Sequence, residues 1–117
     1  MANAETKRPT FHLDVLLYRD EQQWVAHCLQ LDLVEYGHTR KAAQAAILDV
    51  IRAHIEYAIE HDNMEYLFHP APSDVWKLFL KSQRIGRKTM RLQTPRGVRL
   101  VLQEVTFQQT SVRGLAA

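Results

Sequence analysis

The chain has 117 residues, of which 46% are hydrophobic and 24% are charged, and its formal net charge is +2 at pH 7. This is the composition of an ordinary globular protein, and the length suits one domain. No apolar run approaches the roughly 20 residues of a membrane-spanning helix, and residues 1–10 lack the apolar core of a signal peptide. Cys28 is the only cysteine, which excludes an intramolecular disulfide and favours a reducing compartment, so we expect a cytoplasmic protein without a membrane contact.

We expect residues 1–10 to form a flexible tail, and the part of the chain that follows predicts three strands. Apolar residues alternate from Phe11 to Tyr18, which is typical of a strand. The runs 24–29 and 33–38 continue the pattern and predict an antiparallel sheet. The polar run 19–23 contains no glycine, so we expect a longer loop there and not a tight two-residue turn. Gly37 indicates a bulge or bend near the end of the third strand.

A long helix is predicted from Thr39, a suitable N-cap, to Asn63, a suitable left-handed C-cap. Its apolar face recurs at helical spacing and includes one histidine that we expect in the core: Ala43, Ala46, Ile47, Val50, Ile51, His54, Ile55, Ala58. Four charged residues oppose the helix dipole: Arg40, Lys41, Glu60, Asp62. Such placement indicates either a surface kept for a partner or groups neutralised by neighbours.

The C-terminal part predicts a short helix and a β-hairpin. Pro70 and Pro72 interrupt any helix, and Ser73 can cap a second helix that runs to about Gln83. Gly86 ends that segment. The runs 90–93 and 98–107 then predict two strands joined by a turn at residues 94–97. The expected fold is therefore α+β, a two-layer domain in which one long helix packs on a three-stranded antiparallel sheet. We expect it to form a homo-oligomer, a dimer through a sheet edge or through the C-terminal strands.

Metal-dependent or nucleophilic chemistry finds little support in the sequence. His27 and Cys28 are neighbours on a predicted strand and therefore point to opposite faces, and no CxxC or HExxH spacing occurs. Cys28 lies in an apolar strand, where a thiol is usually inert. Four carboxylates could in principle gather around a divalent ion, but their spacing does not require it: Asp14, Asp32, Glu35, Asp49. We expect no metal, no cofactor and no enzyme activity.

Acidic and basic residues are unevenly distributed along the chain. Residues 1–74 hold twelve acids and six bases, a net charge of −6, whereas residues 75–117 hold nine bases and one acid, a net charge of +8. A basic segment without acids runs from 75 to 103, which favours nucleic-acid binding. The candidate phosphate contacts are Lys88, Arg91, Arg96 and Arg99. Alternatively, this segment neutralises the acidic part within one fold or across a dimer.

Residues 24–39 read WVAHCLQLDLVEYGHT. This stretch resembles the HicB-like antitoxin family, in which an aromatic-Val-Ala strand leads through a leucine-rich crossover to a strand ending in Gly-x-Thr, followed by a helix with alanines near its start. Ala43 matches that alanine, and residues 11–18 match the family's first strand. The resemblance covers about residues 11–62.

The resemblance implies a partial ribonuclease-H-like fold, with three antiparallel strands, a helix across one face and often a further strand. It also implies a binding module that neutralises HicA, a small basic ribonuclease toxin, without catalysis. We accordingly divide the chain into a HicB-like βββα domain at 11–70 and a basic extension at 71–117, packed on the same domain or on a dimer mate. The expected function is that of a HicB-like antitoxin or an orphan relative, and the alternative is a nucleic-acid-binding regulator. The expected partner-binding residues lie near the strand ends and the helix start: Asp32, Glu35, Tyr36, His38, Arg40.

Overall fold

The computed structural model describes residues 11–91 and 102–110. This part of the chain forms five strands, two helices and a short 3-10 turn at Met64–Tyr66. In chain order the elements are β1 (Phe11–Asp20), β2 (Gln23–Cys28), β3 (Leu33–Gly37), α1 (Arg40–Glu60), α2 (Ser73–Leu80), β4 (Gln83–Arg91) and β5 (Leu102–Gln109). No helix in the described ranges is both long enough and apolar enough to cross a membrane.

The strands form one mixed sheet in the order β3-β2-β1-β5-β4. β1 pairs antiparallel with β2, and β2 pairs antiparallel with β3. β5 pairs parallel with β1 and antiparallel with β4. The α+β class is thus confirmed. The prediction of a three-stranded, purely antiparallel sheet was wrong. The sheet has two more strands, because β5 pairs with the open edge of β1 and β4 pairs with β5.

One face of the sheet packs against α1. Four buried helix residues follow each other at intervals of four: Ala43, Ile47, Ile51, Ile55. They share a core with alternate residues of β1, including Leu13, Val15 and Leu17, and with Val105 and Phe107 of β5. This interval places one side chain per turn on the same stripe. The prediction of a core histidine was wrong, since His54 falls outside that stripe and is exposed.

The opposite face of the sheet carries a second, smaller core. Leu16 and Tyr18 of β1 pack there with Val75 of α2. The segment between the helices crosses the end of the sheet, where the His69 amide donates to the Gln30 carbonyl (2.9 Å) and the Ala71 amide donates to the Leu29 carbonyl (2.8 Å). The two-layer prediction was therefore wrong: helices lie on both faces, because β1 is apolar on both of its sides.

Several predicted boundaries also differ from the structure. Asp20 pairs directly with Gln23, so the first connection is a tight two-residue turn. Glu21 adopts the left-handed φ of 59° that this turn requires. At the end of α1 the left-handed residue is Asp62 (φ 54°), not Asn63. Ser73 is the first residue of α2, whose N-cap is Pro72 without a side-chain hydrogen bond.

Strand β4 is longer than predicted, and β5 ends at Gln109, two residues beyond its predicted end. β4 begins at Gln83, where the sequence predicted helix, and it continues through Gly86. A register shift between Arg84 and Gly86 marks a bulge, which Gly86 accommodates within the strand. The predicted turn at residues 94–97 lies outside the described residues. β5 pairs with β1 from Phe11 to Leu17, so β4 and β5 belong to the same sheet as β1–β3.

Candidate interaction surfaces

Strand β3 forms one edge of the sheet. Within the described residues it pairs only with β2, so its other side presents backbone groups that a further strand could use. Glu35 lies opposite Ala26, on the face covered by α1, and is half-buried. Tyr36 lies opposite Val25, on the other face, and is 51% exposed. The two predicted contact residues therefore flank the same free edge from its two faces.

The start of α1 lies beside the β1–β2 turn. Exposed His38 and the turn residues 20–23 line a cavity of about 420 Å³. The Thr39 hydroxyl accepts a hydrogen bond from the Ala42 amide (3.0 Å), which confirms the predicted N-cap. Arg40 is exposed, and its Nη1 donates to Gln109 Oε1 of β5 (2.6 Å). This end of the sheet thus combines two turn carboxylates with His38 and Arg40.

Asp32 occupies the opposite end of β3 and has a structural contact. Its Oδ1 lies 2.7 Å from Nε2 of His27, whose side chain is only 8% exposed. Asp32 also adopts a left-handed φ of 54°. A buried imidazole needs a hydrogen-bond partner, and the Asp32 carboxylate is that partner for the His27 ring. Among the predicted contact residues, Asp32 therefore has the clearest structural role.

The predicted nucleic-acid residues are only partly described. Lys88 is exposed on β4, and Arg91 is the last residue of that strand. Arg96 and Arg99 lie outside the described residues. Near the other end of β4, a cavity of about 500 Å³ has two cationic side chains among its lining residues: Arg40, Lys81, Gln83, Ile85, Gln109, Thr110.

A polar network on β1, β5 and β4 was not anticipated from the sequence. His12 lies between two carboxylates, with Nε2 3.3 Å from Asp14 Oδ1 and Nδ1 3.4 Å from Glu104 Oε1. Arg87 Nη1 donates to Glu104 Oε2 (3.0 Å), and Gln30 Nε2 donates to Asp14 Oδ2 (2.8 Å). The pairing of β1 with β5 brings Glu104, and with it Arg87, to His12 and Asp14, so no local signal in the sequence could reveal the whole network.

The carboxylates considered as ligands of a divalent metal ion do not lie together in the structure. Asp14 takes part in the polar network, Asp32 contacts His27, and Asp49 lies 3.9 Å from Arg52 on the exposed side of α1. In the described ranges no group of three potential ligands is suitably placed for a metal ion.

Two ionisable side chains in the core have raised pKa values. Burial raises the pKa of the Cys28 thiol to about 12. Burial, together with the nearby Tyr36 and Asp20, raises the pKa of Tyr18 to about 12. Both groups are therefore neutral at physiological pH. Cys28 cannot act as a thiolate nucleophile there, because its neutral thiol is enclosed in the core.

Comparison with known proteins gives no relative: no family model, no curated protein and no solved structure matches this chain significantly.

Proposed function

We propose that this chain is a non-catalytic, cytoplasmic binding protein of the HicB-like antitoxin kind, or an orphan relative, that binds and neutralises a small basic ribonuclease. The supporting observation is the arrangement of its first half. β1, β2 and β3 are antiparallel neighbours, α1 packs on β2 and β3, and β5 adds a strand beside β1. This is the arrangement that the resemblance of residues 24–39 implies.

The edge of β3 is the proposed contact. An edge strand can bind a partner by adding a strand through its backbone, with specificity supplied by side chains on both faces. Glu35 and Tyr36 provide those side chains. The residues up to 74 carry a net charge of −6, which suits a basic partner and speeds its encounter. The same edge could pair with a second copy, so a homodimer competes with the partner for it.

Co-expression with a small basic ribonuclease of the HicA type tests the proposal. We expect that protein to stop growth by cleaving RNA, and this chain to restore growth. Glu35→Lys and Tyr36→Ala should reduce the rescue. Asp49→Lys is the matched control, because it changes the net charge as Glu35→Lys does but lies on the exposed side of α1. Equal rescue by all variants, or no rescue by the wild type, would contradict the proposal.

The alternative is nucleic-acid binding through β4, which the exposed Lys88 and Arg84 on this strand favour. Binding of labelled DNA and RNA would then weaken steeply with salt. Removal of one phosphate-binding side chain, as in Lys88→Ala or Arg84→Ala, should reduce the slope of log affinity against log salt by about 1. Lys41→Ala, on α1, is the control. An unchanged slope in the β4 variants would exclude this role for the strand.

A further inference from the structure

The C-terminal end of α1 presents exposed aromatic side chains around a shallow depression. Tyr57 is 59% exposed and Tyr66 is 75% exposed. The depression has a volume of about 120 Å³ and is lined by His54, Tyr57, Ala58, Asn63, Tyr66 and Leu67. We call these residues the α1-end surface. Exposed tyrosines matter here because tyrosine is one of the residues that supply most of the binding energy in protein interfaces.

Local contacts hold the Tyr57 ring and the backbone of this surface. Tyr57 packs on His61 one helical turn later, with 4.0 Å between the ring centroids. The Asn63 amide donates to the Ala58 carbonyl (3.0 Å), and the Tyr66 amide donates to the Asn63 carbonyl (3.0 Å). These backbone bonds fix the chain on both sides of the depression. A partner therefore meets a largely formed surface and loses less entropy on binding.

The sequence that forms and follows the α1-end surface is acidic. Residues 53–76 contain no lysine or arginine but five acids: Glu56, Glu60, Asp62, Glu65, Asp74. The C-terminus of a helix carries about half a negative charge, and α1 has no basic residue in its last turn to offset it. Among the described residues, none of Glu60, Asp62 and Glu65 forms an ion pair. This end of the molecule therefore attracts cations.

We propose that the α1-end surface binds an arginine-bearing segment of a basic protein partner. The planar guanidinium stacks on the faces of Tyr57 and Tyr66 and donates hydrogen bonds to carboxylates around the helix end. Lysine fits less well, because its compact ammonium is more strongly hydrated and cannot donate two parallel hydrogen bonds to one carboxylate. The inference rests on the proposed function in one respect, the basic nature of the partner. It adds a contact apart from the β3 edge, since α1 starts next to β3 and extends for about 30 Å.

The test is a titration followed by NMR, using a short peptide in which arginine alternates with glycine. A lysine peptide of equal length and charge is the comparison. We expect the arginine peptide to shift the amide signals of residues 54–67 saturably and to bind more tightly than the lysine peptide. The double variant Tyr57→Ala/Tyr66→Ala should bind the arginine peptide about tenfold more weakly. Leu80→Ala, which removes a 79% exposed apolar side chain at the end of α2, should bind like the wild type.

Two results would overturn this inference. Equal binding of both peptides, unaffected by the double variant, would mean that only general electrostatic attraction acts. Shifts of residues 54–67 that follow the protein's own concentration, without peptide, would mean that a second copy occupies the surface. The titration needs no ribonuclease partner, so it can succeed or fail independently of the β3 variants in the growth assay. Circular dichroism of the double variant checks that it is folded, as expected for two exposed side chains.

Discussion

Gly37 ends β3 at the point where the strand passes the first turn of α1. A Cβ at this position would lie 2.4 Å from the backbone nitrogen of Ala43 and 2.8 Å from the carbonyl carbon of Ala42. Both atoms belong to the helix backbone, so rotation of a side chain cannot relieve the contact. We therefore predict that Gly37→Ala displaces the start of α1 from the edge of the sheet.

The cost follows from the size of the clash. Ordinary contact between such atoms begins near 3.4 Å, so the helix start must move by about 1 Å. Inserting one carbon into a packed site costs typically about 1–3 kcal/mol. The displaced turn also contains the Thr39 cap, whose removal costs about 1 kcal/mol. We expect the free energy of unfolding to fall by about 2–4 kcal/mol.

Gly86→Ala is the matched control, because a Cβ at Gly86 meets nothing within 4 Å. The same substitution there should leave stability unchanged or raise it by up to about 1 kcal/mol. Urea unfolding followed by circular dichroism gives both values. If Gly37→Ala were as stable as the wild type, the close approach of β3 and α1, and with it the geometry of the proposed contact edge, would be refuted.

Three further predictions concern single side chains. Thr39→Ala should lower the free energy of unfolding by about 1 kcal/mol in urea titrations, because the Ala42 amide loses its acceptor; no change would argue against the cap. Asp32→Ala should cost about 1–3 kcal/mol, because the buried His27 ring loses its partner, whereas Asp32→Asn keeps an acceptor and should cost less. Cys28 should react with Ellman's reagent only after unfolding, and rapid reaction of the native protein would contradict its burial. Stability should also decline as pH rises from about 9 to 12, because Cys28 and Tyr18 lose their protons at lower pH in the unfolded chain than in the folded one. For Cys28 the slope approaches about 1.4 kcal/mol per pH unit, measurable by urea unfolding at each pH.

The local elements could be predicted from the sequence because their signals are local. Alternation defined β1, and four-residue spacing of apolar side chains defined α1. Thr39 marked the helix start, since a hydroxyl before a helical run satisfies a free amide. The boundary errors have local causes as well: the β1–β2 turn uses Glu21 at a left-handed φ without glycine, and Asp62 replaces the expected Asn63.

The long-range arrangement could not be predicted in the same way. β5 pairs parallel with β1 although nearly the whole chain separates them, and no periodicity encodes which strands become neighbours. One signal was available: Leu16 and Tyr18 are apolar on the side of β1 opposite Leu13, Val15 and Leu17. A strand apolar on both sides needs cover on both faces, which α2 and the preceding segment provide.

The candidate contact residues also divide into those that local sequence signals locate and those whose contacts depend on the fold. The sequence placed Glu35, Tyr36, His38 and Arg40 near one edge, and the structure locates them along β3 and at the start of α1. It could not show that Asp32 is held by His27, because that interaction depends on the fold of the β2–β3 turn.

The most direct test of the proposed function is the affinity of this chain for a small basic ribonuclease of the HicA type, measured by calorimetry. We expect one-to-one binding that Glu35→Lys weakens about tenfold, since a reversed charge at the contact edge is repelled by a basic partner. Asp49→Lys should bind like the wild type. Equal affinities for both variants, or no binding by the wild type, would contradict it.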